Sequence, residues 1–517
     1  MKIKFWMLAA VFAAIGMASC SSDDPETPVD PPVPEEGDEV AINKMVDKYM
    51  SSHYLWNTEY NTLTPDYNLT SDAFLKKGLE GVAAQNKANE EDGYFDADGK
   101  HHWYTYITKT KAGGISGASR AGEDVRFGYG FSGVSFTKTA LGSFIGILGV
   151  IKESPAAKTA IPGTQQATGR GMFITKVDGT AVTASNYNSL KAKLFPKNLG
   201  SSVKLTLVNI KWNDASKNYE VENLGVVTLK AGNYDYNPIL FEGVIGSPKD
   251  PNVKIGYIAY SQFLMGYDEN LIKTFEVLNY SAGGKMSDLI LDLRYNQGGH
   301  LLSSAVLGTL VVGDAYKDAV YCSAQYNADR AVTEKPRVYK IGNKMTGEGE
   351  YSLVEKALAA SANLKRVYVL TGLYTASASE LIINGLRGLD VEVRLIGEKT
   401  NGKNVGMEGK AYNGGNGYIY EFYPITMRLQ NAKNFSAYSK GFEPDVLVPN
   451  SDVDFYIGAY ASYDDPLSGY AITWILNDEK PNPSSANTKK CTRTSTFSDV
   501  TILEPLYKGA ITCPEAL

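Results

Sequence analysis

The chain has 517 residues, 43% of them hydrophobic, and a formal net charge of −6. Length and apolar content suit about three packed domains, and a mildly acidic chain without a lysine–arginine stripe excludes the electrostatic footprint of a nucleic-acid binder. The four cysteines and four histidines form no CxxC or HExxH motif, and no Gly-rich loop ends in Lys-Ser/Thr, so neither a metal nor another cofactor is expected.

Residues 1–20 join a basic start, Met1 to Lys4, to the apolar run Phe5 to Met17 and to Ala18-Ser19-Cys20, the pattern of a secretory signal peptide. Its ending resembles a bacterial lipobox. That resemblance implies a diacylated Cys20 tethering the protein to a membrane, since two acyl chains anchor stably where one does not. Residues 21–38 are almost all proline, acidic and small; they cannot bury a core and are expected to be an extended tether. The expected location is the outer membrane of a Gram-negative-type bacterium, facing the periplasm or the cell surface. No later apolar run reaches transmembrane length; Leu141 to Ile151 is too short.

Residues 40–115 carry apolar positions at helical spacing (Val40, Ile42, Met45, Val46, Tyr49, Met50) and many aromatics, predicting a helical N-terminal domain. His53 falls in an aromatic stretch that suggests packing. His101 and His102 follow Asp96-Ala97-Asp98-Gly99-Lys100, a polar turn whose register fails the calcium-loop pattern. Gly113 to Gly117 marks a junction.

Residues 125–210 alternate as strands around one helix: Phe131 to Phe136, Ile145 to Val150, Gly171 to Val177, a helix near Asn186 to Leu194, and Val203 to Leu207. Through Gly128-Tyr129-Gly130-Phe131, Ser154-Pro155-Ala156-Ala157 and Val177-Asp178-Gly179-Thr180-Ala181-Val182 this stretch resembles a PDZ domain. The resemblance implies capture of a free C-terminus by strand addition, with Gly128, Tyr129, Gly130 and Phe131 as the carboxylate-binding loop. Pro162 to Arg170 has the character of an insertion.

Residues 215–455 alternate strand-like runs (Ile255 to Tyr260, Leu289 to Leu293, Val367 to Leu370, Val391 to Ile396) with helix-like runs (Glu269 to Leu278, Leu301 to Leu307, Ser379 to Leu386). The whole therefore reads as multidomain α/β, with chemistry at the strand ends of this core. Ser377 stands between a strand and a helix, beside the unpaired N–H groups that open the helix. Lys403 follows the next strand in Gly397-Glu398-Lys399-Thr400-Asn401-Gly402-Lys403. A lysine serves as general base only where its surroundings lower its pKa, and Ser-Lys pairs are a recognised variant of the serine nucleophile. Gly298-Gly299, after the run Leu289 to Arg294, lets backbone N–H groups approach an oxyanion. Taken singly, each of these has an ordinary counterpart in a helix cap, a turn or a solvated lysine.

With Asp292 to Gly299, Ala376 to Glu380, Gly397 to Lys403 and Gly441-Phe442-Glu443-Pro444-Asp445, the chain resembles the C-terminal processing peptidases, or tail-specific proteases. The resemblance implies a serine endopeptidase with Ser377 as nucleophile, Lys403 as general base, Gly298 or Gly299 with Ala378 as oxyanion hole, and a protein or peptide with a free C-terminus as substrate. Many members carry a glutamine four residues beyond the lysine; here that position is Met407, which offers no carbonyl to an amine. That departure feeds a competing reading, a non-catalytic peptide-binding lipoprotein that keeps the fold. His300 follows the glycine pair and so neighbours the site, but no chemical role is expected of it. In the tail, residues 456–517, Asp465 to Leu476 predicts a helix, and Cys491 and Cys513 are close enough in sequence to pair in an oxidising compartment. Cys322 is expected to be free and structural.

Overall fold

Alternating side chains divide the central strands between two apolar layers, and that division organises the α/β core. The structure, a computed structural model, describes residues 39–85, 92–95, 99–111, 125–198, 200–213, 215–216, 218–247, 249–343, 353–414, 417–448 and 457–482, with short strands at 500–502 and 512–513. The signal peptide with Cys20, the tether, the Gly113–Gly117 junction and Cys491 lie outside the described residues.

Six strands form the central sheet in the order β1 (Ile239–Gly246), β2 (Lys254–Tyr260), β3 (Asp288–Asp292), β4 (Arg366–Thr371), β5 (Glu392–Gly397) and β6 (Val446–Leu447). β1 is antiparallel to β2, and every later pair is parallel. On β3, Leu289 and Leu291 point into one core with α1 (Asp268–Ser281), α2 (Leu301–Val312), α3 (Leu353–Ala360) and α4 (Ala378–Gly388). Ile290, between them, points into the opposite core with Tyr257, Tyr368 and the apolar face of α5 (Pro466–Asn477). Every residue of α2 is buried, so no polar face interrupts its apolar run. The helix expected within residues 456–517 is α5, and it closes the second face of the sheet.

The N-terminal helices Glu39–His53 and Ser71–Gln85 bury Ile42, Val46 and Met50, and Phe74, Leu75, Leu79 and Val82. Their core is shared with Val405, Met407, Tyr420, Phe422 and Ile425 of the catalytic region. Strand Tyr106–Lys111 also pairs antiparallel with Tyr418–Tyr423. The N-terminal segment is thus built into the catalytic region, which helical spacing alone could not reveal.

The strand-rich module has one sheet containing Phe131–Thr139, Gly142–Val150, Phe173–Val177, Ser202–Asn213 and Asn218–Lys230, with helix Tyr187–Leu194 packed on it. Its core runs on to Ala231, because the hairpin 202–230 carries Val227 and Leu229 back over Val203 and Leu205. The outer edge of strand Phe131–Thr139 pairs at Gly133–Ser135 with Val500–Ile502. Arg170, at the end of the insertion, joins this module to the catalytic sheet. Its guanidinium donates to Asp465 Oδ2 at 2.6 Å, and Arg294 donates to both oxygens of the same carboxylate at 2.8 and 2.9 Å. All three side chains are buried.

Candidate active site

β4 ends at Thr371, and the chain turns through Gly372–Ala376 before α4 begins at Ala378. Ser377 sits in that turn at φ 61°, ψ −118°, a conformation costly for a residue with a side chain. The turn is pinned by its neighbours. Thr375 Oγ1 donates to Leu293 O at 2.8 Å, Ala376 N–H donates to Asn296 O at 3.2 Å, and Ser379 Oγ donates to the same oxygen at 2.9 Å. Ser377 is fully buried, and its hydroxyl has no hydrogen-bond partner among the described residues. The hydroxyl is therefore uncommitted among the described residues.

Lys403 lies in the loop between β5 and strand Val405–Glu408 and is 2% exposed. Its Nζ is 4.6 Å from the centre of the Tyr104 ring and 3.9 Å from Met407 Sδ. Burial pulls the ammonium pKa down to about 7, against the opposing pull of the Asp92 and Glu380 carboxylates. A neutral amine is thus accessible near neutral pH, as a base requires.

One carboxylate ties the two loops together. Glu380 Oε2 accepts from Ser377 N–H at 3.1 Å and from Lys403 N–H at 2.8 Å, while Oε1 accepts from Gly402 N–H and Thr400 Oγ1, both at 2.6 Å. Burial raises its pKa to about 7, and these four bonds oppose the rise. In the sequence Glu380 stands within the Ala376 to Glu380 motif with no role of its own. The signal was there, because Ser-x-x-Glu at a helix start is the capping-box spacing.

The glycine pair sits against the serine. A Cβ at Gly298 (φ 102°) would lie 2.6 Å from Ser377 Cβ and 2.8 Å from Ala376 O, so only glycine fits. Gly298 N–H donates to Asn296 Oδ1 at 2.8 Å, and Gly298 O accepts from Phe263 N–H. The buried Asn296, also unassigned in the sequence, holds this loop by donating to Tyr260 O at 2.9 Å. Ala378 N–H opens α4 beside the serine.

The histidines lie in other settings. His53 stacks on Tyr49 at 4.2 Å, His101 packs against Phe95 and Trp103, and His102 stacks on Tyr94. His300 precedes α2, its N–H donating to Phe263 O. Cys322 is buried and forms no disulfide among the described residues. Gly128 and Gly130 take φ of 143° and 96°, and the Tyr129 and Phe131 side chains belong to the core of the strand-rich module.

Residues 254–448, which contain the serine, the lysine, the glutamate and the glycine pair, match the sequence model of peptidase family S41. The chain carries an S41 peptidase domain. A crystal structure of a putative S41 protease from Bacteroides fragilis NCTC 9343 superposes with a TM-score of 0.63 at 21% identity, covering 84% of this chain and 97% of that one, so the two share a fold. The photosystem II D1 C-terminal processing protease aligns over 83% of this chain and 99% of its own, at 16% identity and a TM-score of 0.39. The match lies on the segments that carried the motif resemblance and supports a serine-type peptidase acting on proteins or peptides.

Proposed function

We propose that the chain is a serine endopeptidase working through Ser377 and Lys403. The neutral amine takes the Ser377 proton as Oγ attacks the scissile carbonyl, and the ammonium returns it to the leaving amine as the acyl-enzyme forms. Water then attacks the ester carbonyl, passing its proton to the neutral Lys403 amine, and the ammonium returns that proton to Ser377 Oγ as the ester bond breaks and the acid product leaves. Ala378 N–H is one donor to the developing oxyanion. Gly299 N–H is the second, because the Gly298 N–H is committed to Asn296. The observation that carries this reading is Glu380, whose one oxygen holds the backbone N–H of both Ser377 and Lys403. Purified Ser377→Ala and Lys403→Ala should each lose turnover on fluorescently labelled casein while remaining folded, and Ser379→Ala, which loosens the turn but leaves the nucleophile in place, should keep a measurable part of it. Wild-type rates in either of the first two would remove the dyad, and no turnover by the wild-type protein itself would favour the non-catalytic reading.

Recognition of the substrate's end is assigned to the PDZ-like module. Its glycine loop, with Gly130 packed tightly on Ser154, leads into strand Phe131–Thr139, whose edge can take an added strand. The same edge pairs with Val500–Ile502, so a substrate end has to exchange with that segment. An unstructured substrate with a free apolar C-terminus should be cut faster than its amidated form; equal rates would remove tail specificity and leave the serine chemistry standing. Attachment to the outer membrane through Cys20 belongs to the same proposal. Radiolabelled palmitate should enter the wild-type protein but not Cys20→Ser, and equal labelling of both would refute it.

A further inference from the structure

Part of the surroundings of Lys403 comes from the far end of the chain, outside the matched residues 254–448. The ring of Tyr104 faces the amine at 4.6 Å. Its hydroxyl donates to Asn401 Oδ1 at 2.7 Å, and Asn401 N–H donates to Thr375 O at 2.9 Å, in the turn that carries Ser377. Tyr104 thus touches the amine directly and reaches the serine turn through one residue.

Tyr104 is itself firmly held. Its N–H donates to Asp92 O at 3.2 Å. The next residue, Thr105, donates its N–H and Oγ1 to the Asp92 carboxylate at 2.9 and 2.8 Å and accepts from Ile425 N–H at 3.0 Å. Tyr54 adds a third bond to Asp92 at 2.6 Å. These contacts lock the N-terminal segment onto the strands beside Met407, the side chain that stands where many relatives have a glutamine. A thioether at 3.9 Å is a weak acceptor and sets no direction for an amine.

We propose that Tyr104 is the positioning residue for Lys403, its ring face holding the amine and its hydroxyl, through Asn401, fixing the distance between the lysine and serine loops. The inference rests on the Ser377–Lys403 reading. It makes the catalytic unit larger than the matched domain, because the N-terminal segment supplies what orients the base. The ring is within the range at which an aromatic face attracts a cation. The carboxylates acting on Lys403 are Asp92 from the N-terminal segment and Glu380 from α4, and both favour the ammonium against burial.

The test compares purified wild type, Tyr104→Phe, Tyr104→Leu and Asn401→Ala on labelled casein across pH, with thermal melts to confirm folding. Tyr104→Leu keeps the site dry but removes the ring's attraction for the ammonium. Its kcat should fall at least about tenfold with KM little changed, and the midpoint of its pH rise should move down by about half a unit. Tyr104→Phe should restore the wild-type midpoint, and Asn401→Ala should lower kcat without moving it. A folded Tyr104→Leu with wild-type kcat, or with a reduced rate but an unmoved midpoint, would overturn the proposal. Should that variant fail to fold, an unchanged kcat in Asn401→Ala overturns it instead. Activity in Lys403→Ala would remove the dyad itself; loss there with no effect at Tyr104 or Asn401 would remove only this inference.

Discussion

Replacing Glu380 tests whether one carboxylate sets the geometry of both catalytic loops. In Glu380→Gln the amide nitrogen must take the place of one oxygen. Facing Ser377 and Lys403, it would oppose two N–H donors; facing Thr400 and Gly402, it opposes only one, because the Thr400 hydroxyl can rotate to accept. The second orientation is the cheaper. It leaves Gly402 N–H unpaired, at about 1–3 kcal/mol, and weakens the three remaining bonds by removing the charge, by about 1 kcal/mol each. A loss of about 4–6 kcal/mol is expected, read as a lower urea midpoint at unchanged m-value. The amide carbonyl still holds the Ser377 and Lys403 loops, so the folded variant should retain about a tenth of wild-type kcat. Glu380→Ala releases both loops, and a displacement of about 1 Å is enough to cost a hundredfold or more. Stability and rate should therefore separate, with glutamine costing mainly the first and alanine both. Folded Glu380→Ala with a wild-type rate would refute the argument, as would an unchanged urea midpoint for Glu380→Gln.

The rate should rise with pH through about 7 as Lys403 loses its proton, and a profile flat from about pH 5 upward would count against the lysine base. In the folded protein the amine is neutral above about 7, whereas in the unfolded chain it stays protonated to about 10.4. Between these values the unfolded state binds the extra proton, so this residue makes stability rise with pH, and urea titrations of Lys403→Met should show that contribution gone. Asp465→Asn leaves the buried guanidiniums of Arg170 and Arg294 without their shared counter-charge and should cost about 3–5 kcal/mol in urea unfolding; a change under about 1 kcal/mol would show that the network carries little. Gly298→Ala must push a methyl group into Ser377 Cβ and Ala376 O, so kcat should collapse, and a wild-type rate would disprove the close packing of this loop on the nucleophile.

The catalytic layers were legible because local signals and tertiary burial agree there. β2 to β5 and helices α1, α2 and α4 fall on the apolar runs that announced them, and Ser377 and Lys403 stand at the strand ends those runs imply. Contacts between distant segments were not legible. Nothing in the spacing of Asp92 and Tyr104 says that they reach Lys403, and nothing near Asp465 says that its partners are Arg170 and Arg294. The glycine pair was readable as a close approach of backbone, but which N–H it leaves available depends on Asn296, whose side chain turns back on its own loop. Glu380 escaped for a different reason. Its spacing from Ser377 is that of an ordinary helix cap, and only the arrival of the Lys403 loop on the same carboxylate distinguishes it.

The shared carboxylate of Asp465 also imposes an order in time. It is made 295 residues after Arg170 and 171 residues after Arg294. At about 5–20 residues per second, the second interval is roughly ten to thirty seconds of synthesis. Throughout it, Arg294, two residues before Asn296 and the glycine loop, has Asp292 as its carboxylate partner in the network, and Arg170 lacks the partner it will share. Helix α5, which covers the second face of the sheet, is missing for the same period. Ser377, Lys403 and the glycine loop are all made before the segment that locks them, so a chain still being synthesised holds these residues without the frame that aligns them. Wherever the chain folds, during synthesis or after export, the frame around Ser377 cannot close until the segment carrying Asp465 has arrived.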